Sequence, residues 1–153
     1  MIYLLAFLLG AVAGLRTMTA PAATAWAVHL WTLDLRGSWL GTLGEGWALW
    51  MLTAMAVGEL LVDKVPSIPS RTEPLPFLAR LLSGALSGAA LGVASGTWIG
   101  GAMAGVTGAV GGTLGGYAFR SRLAGRLGKD LPAALVEDVV AVGGAALIVL
   151  ALR

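Results

Sequence analysis

GLRTMTAPAAT, residues 14–24, interrupts a stretch that is otherwise apolar. MIYLLAFLLGAVA stands before it and AWAVHLW after it, so an arginine, threonines and a proline fall where the flanks promise an apolar helix. As one straight helix, residues 2–30 would span roughly 42 Å at ~1.5 Å per residue, against a hydrocarbon core of about 30 Å. Pro21 has no N–H to donate and clashes with the preceding turn, so a break or kink just before it is expected. Two forms stay open: a tilted, kinked helix, or two half-segments meeting near Arg16.

The rest of the chain sets the solvent. Of 153 residues, 58% are hydrophobic and only 12% charged, where a soluble domain has about 45–50% and about a quarter. With a mean hydropathy of +0.86, the excess argues for lipid rather than a large core. The net charge of +2 is small, and the basic residues gather at expected membrane edges, which excludes a nucleic-acid face. There is no cysteine, hence no disulfide framework and no thiolate metal site. The N-terminus has no basic region before its apolar run and is read as part of the mature protein, not a cleaved signal.

With the charges as punctuation, five apolar stretches emerge, at 2–30, 47–63, 77–95, 97–118 and 132–152. Lys64, Arg71 and Arg80 lie in one connection, and Arg120, Arg122, Arg126 and Lys129 in another. Five crossings would put both on the cytoplasmic side, together with the N-terminus. Trp31, Trp39, Trp47 and Trp98 would then line the outer interface, where indole favours the headgroups. The four prolines of KVPSIPSRTEPLP predict an extended loop, and Asp130 is a candidate cap for the last helix. The expectation is one all-α membrane domain, residues 1–153, in the bacterial inner membrane, with four to five transmembrane helices.

Glycines recur every fourth residue in two stretches: Gly84, Gly88, Gly92 and Gly96, then Gly101 and Gly105, followed by Gly108, Gly112 and Gly116. Residues i and i+4 share a helical face, and a face without side chains lets two backbones approach closely. Such rows predict tight helix packing, within one chain or between copies, and a homo-oligomer is expected. GAVAG at 10–14 returns as GAMAG at 101–105, and GELLVDK at 58–64 is answered by LVEDVVA at 135–141. These short matches suggest an inverted repeat with a broken first helix, an arrangement secondary transporters use.

Ionisable residues carry the functional argument. A charge at mid-bilayer costs at least ~2.5–3.5 kcal/mol on insertion scales, so it faces protein or water and finds a partner. Arg16, Glu59, Asp63, Glu137 and Asp138 form such a set, as an ion-pair cluster or as interfacial residues. A helix opened at Pro21 frees backbone groups that Thr17 and Thr19 or water must satisfy, and beside Arg16 it makes a seat for an anion. The lone His29 has no second imidazole for a metal. No nucleophile–base pair, metal set or nucleotide loop is visible, so neither an enzyme nor a cofactor is expected. Two readings remain: a transporter or channel for a small polar or ionic solute, or a non-transporting membrane scaffold whose charges lock helices.

GAVAGLRTMTAPAA, GELLVDKVPSIPSRTEPLPFLAR, SGALSGAALG and LVEDVVAV together resemble a bacterial integral membrane family catalogued as domain of unknown function 4126. The resemblance implies a membrane protein and supplies no substrate or catalytic residues.

Overall fold

A computed structural model describes residues 1–62 and 73–153. Among them there is no strand. The helices are α1 (Ile2–Leu15), α2 (Thr19–His29), a short 3-10 helix (Trp39–Gly44), α3 (Gly46–Val62), α4 (Pro74–Val93), α5 (Trp98–Leu127) and α6 (Asp130–Ala151). Residues 2–30 are therefore two helices. α1 stops because Arg16 takes extended backbone, φ −139° and ψ 112°. Pro21 falls in the first turn of α2, where its missing N–H is no loss.

Close backbone approaches give the helix directions. A side-chain carbon on Gly84 would stand 2.7 Å from the Gly105 carbonyl oxygen, and one on Gly92 2.7 Å from that of Thr97, so α4 and α5 are antiparallel. On another face of α5, Gly100 meets Tyr3, Gly108 the Phe7 carbonyl, and Gly112 that of Ala11. Both numbers rise together: α1 runs parallel to α5. α6 is antiparallel to α1, with Gly144 against Val12 and Asp138 against Arg16. α2 leads away from Arg16 along α6 and antiparallel to α3, where Trp26 Nε1 donates to Thr53 Oγ1 at 3.2 Å. α1 and α2 thus form a hairpin that turns back inside the bundle, its tip at Arg16–Met18.

One end of the molecule gathers Met1, the segment from Leu30 to Trp47, the 94–97 turn, Trp98 and Arg153. There Leu33, Leu35 and Leu40 are buried and fold residues 31–45 over the hairpin's open end. Arg36 pairs with Asp34 at 3.1 Å and lies 5.0 Å from the centre of the Trp31 ring; this guanidinium holds the Asp34 carboxyl below the ordinary carboxylate range. The other end carries Arg120, Arg122, Arg126 and Lys129.

Several expectations change. Met1 lies at the tryptophan end, opposite the basic residues, because residues 2–30 turn back instead of crossing. GAVAG and GAMAG sit in parallel helices, whereas an inverted repeat needs opposite senses. α5 continues through Arg120, Arg122 and Arg126 to Leu127 and closes at Gly128, whose φ of 66° suits a glycine, so this basic stretch is helix. Pro74 and Pro76 open α4 instead of prolonging a loop. Asp130 begins α6 and pairs with Arg120 instead of capping; Lys129 is the N-cap.

Among the described residues, α4 and α6 are long and apolar enough to cross a bilayer, and α1 and α3 are shorter apolar helices. Large apolar side chains also face outward on α3–α6, including Trp50, Met55, Leu82, Met103, Leu114, Val139 and Leu147.

Candidate functional site at the hairpin tip

The tip breaks the helical hydrogen-bond ladder, so each freed backbone group needs a partner. Three other helices supply them. From α3, the Glu59 carboxylate accepts the Thr17 N–H on one oxygen and the Met18 N–H on the other, each at 2.7 Å. From α4, Ser83 Oγ donates to the Thr17 carbonyl. From α5, Thr113 Oγ1 reaches the Gly14 carbonyl at 3.3 Å while also bonding Ala109 within its own helix at 2.8 Å. Glu59 thereby places a negative charge at the N-terminus of α2, where the helix dipole favours it.

α6 supplies the countercharge for Arg16. The arginine is fully buried, and its Nη2 lies 2.5 Å from Asp138 Oδ1 and 3.9 Å from Glu137 Oε2. Glu137, itself buried, is 3.6 Å from Arg120 Nη1, and Arg120 joins Asp130 at 2.9 and 2.5 Å. A chain of alternating charges therefore runs from the buried tip to Asp130, which is 62% exposed, at the basic end. Burying a charge costs several kcal/mol unless an opposite charge and hydrogen bonds answer it, and here every link has an opposite neighbour.

The sequence set is thus divided. Arg16, Glu137 and Asp138 meet through their side chains, while Glu59 joins the tip through backbone N–H groups. Thr17 contributes its main chain, and Thr19 opens α2 with a buried hydroxyl that has no hydrogen-bond partner among the described residues. Asp63 lies outside the described residues. His29 Nδ1 is 3.3 Å from the Gly44 carbonyl oxygen, away from the tip. Gly84, Gly88 and Gly92 of α4 face Gly101 and Gly105 of α5, and Gly108 and Gly112 face α1. Gly116 is buried further along α5. Without these bare faces, α1 could not bring its end down to Ser83 and Thr113.

Sequence reading missed Arg80, Ser83, Thr113, and the Arg120–Asp130 link. Arg80 counted as loop punctuation, yet α4 starts early enough to bury it, with Nη1 3.3 Å from the Pro76 carbonyl oxygen. Ser83 and Ser87 stand beside Gly84 and Gly88 with the same spacing of four, which was the available signal for a polar row on α4.

Beside the tip, a cavity of about 450 Å³ opens between α2, α3 and α6. Thr19 and Leu60, neighbours of Met18 and Glu59, are among its lining, with Ala56, Val57, Val142 and Ala146. No family model, curated protein or solved structure matches this chain.

Proposed function

We propose that this is an integral protein of the bacterial inner membrane that moves a small polar or ionic solute, with the hairpin tip as its site. The carrying observation is the re-entrant hairpin itself: a broken helix pair that delivers a fully buried arginine to the middle of the bundle. Broken helices at mid-depth are how secondary transporters offer backbone and charge to a solute. Outward-facing Leu, Val, Met and Trp side chains support lipid as the surrounding medium. The basic end is then cytoplasmic, which puts Met1 and Arg153 outside and leaves four full crossings, α3–α6. Association of copies belongs to the same proposal, with the outward-facing Gly111 and Gly115 open to a neighbour.

The tip, Glu59, Ser83 and the Glu137–Asp138 pair come from four separate stretches of the chain. They are far apart in sequence and meet at one place, which supports a shared site.

One observation favours the alternative, a non-transporting scaffold: Arg16 is enclosed, with a carboxylate at 2.5 Å. Single cysteines placed along Gly14–Thr24 of this cysteine-free chain separate the two. Labelling by a membrane-impermeant thiol reagent at Thr17–Thr19, changing with the side of addition, is the transport outcome. Uniform protection of folded variants would make the tip a structural lock.

A further inference from the structure

The tip already holds a carboxylate. Both oxygens of Glu59 are engaged, each by one backbone N–H of two successive residues, at 2.7 Å. Successive N–H groups at a helix N-terminus form an anion seat whose geometry suits a planar carboxylate. The seat belongs to α2 and its occupant to α3, so the occupant can be exchanged without unmaking the seat.

Two further features point to a ligand rather than to a plain structural clasp. Thr19, one residue beyond Met18, is 7% exposed, and its hydroxyl lacks a hydrogen-bond partner among the described residues. A buried hydroxyl without a partner forfeits its hydration, and a bound carboxylate with a third donor to use would answer it. The cavity between α2, α3 and α6 reaches Thr19 and Leu60 beside the seat and extends past Trp26, Val142 and Val149. Apart from Thr19, Thr53 and Arg153 that lining is apolar, so it serves an apolar tail better than a small hydrophilic anion.

We infer that the α2 N-terminus is a binding site for an organic carboxylate with an apolar tail, and that Glu59 fills it as an internal competitor. The head takes the Thr17 and Met18 N–H groups with the Thr19 hydroxyl, and the tail lies in the cavity. This rests on the tip being a working site and names its ligand class.

Removal of the competitor exposes the site. In detergent, Glu59→Ala melts below the wild type, and octanoate restores its melting temperature. The concentration needed is at least about tenfold lower than for acetate, because octanoate has six more methylenes to bury. Chloride at equal ionic strength gives no such recovery, and the wild type gains less from octanoate than the variant. Ala146→Trp, which fills the cavity from the exposed face of α6, removes the advantage of octanoate over acetate in the Glu59→Ala background. Thr19→Val weakens both acids. Should Glu59→Ala not fold, Glu59→Gln is titrated by the same criteria. Equal gains in variant and wild type, or gains that chloride reproduces, overturn the inference. Equal potency of acetate and octanoate overturns the tail. Because the titration reads binding alone and cysteine labelling reads a water path, failure of one is distinguishable from failure of the other.

Discussion

Nη2 of Arg16 stands 2.5 Å from Oδ1 of Asp138, with the arginine side chain fully enclosed and the aspartate 12% exposed. The two residues are the end of a broken helix and the third turn of the last one. Their pairing fixes how deep the hairpin sits, because α1 can neither withdraw nor advance without separating the charges.

Loss of one partner should therefore cost far more than loss of both. Arg16→Met or Asp138→Leu alone is expected to destabilise by about 3–5 kcal/mol, the cost of an uncompensated buried charge. The Arg16→Met/Asp138→Leu protein should be more stable than the summed singles predict by at least about 1 kcal/mol. Denaturant unfolding of the four proteins measures this, and strict additivity would remove the coupling.

Glycines of one helix should divide sharply by what they face. Gly105→Ala drives a methyl into the Gly84 backbone and is expected to cost about 2–3 kcal/mol through overpacking. Gly125 has nothing within 4 Å of the added carbon, so Gly125→Ala should be neutral or stabilising by up to about 1 kcal/mol through helix propensity. Thermal melts in one detergent decide it; similar losses at both sites would contradict the packing described.

Ser83 is the donor that the tip's Thr17 carbonyl depends on. Ser83→Ala should cost about 1–3 kcal/mol, the penalty of a buried acceptor left bare, while the exposed Ser121→Ala should stay within about 0.5 kcal/mol of wild type. If both serines prove equally dispensable, the carbonyl is satisfied otherwise.

The proposed membrane topology also carries a prediction of sidedness. In oriented vesicles, Tyr3→Cys and Ser95→Cys should react with an impermeant thiol reagent from one side and Arg126→Cys from the opposite side. Reaction of Tyr3→Cys on the side of Arg126 would restore a single crossing for residues 2–30.

Helix content, the break near Arg16 and the need of Arg16, Glu137 and Asp138 for charged partners were legible because they depend on local chemistry: apolar length, Pro21, and charges that need partners. The hairpin was not, since hydropathy counts apolar residues and cannot show whether a chain turns back. A crossing and a re-entrant pair with the same composition differ only in what lies opposite, here the bare faces of Gly108 and Gly112. Glu59 illustrates the same boundary. Its need for a partner was readable, but that the partner would be backbone N–H groups required knowing where α2 begins. Arg80 was misplaced because Pro74 and Pro76 read equally as loop residues and as a helix start.

The buried tip also sets an order of events during synthesis. Arg16 is made well before the residues that hold the tip: Ser83, Thr113 and Asp138 follow by 67, 97 and 122 positions. Until α6 has emerged, the arginine has no α6 carboxylate to meet, so the hairpin cannot reach its final depth before then. The hairpin is thus made before α6 yet settles after it, and a chain truncated before Glu137 should leave the hairpin unfinished.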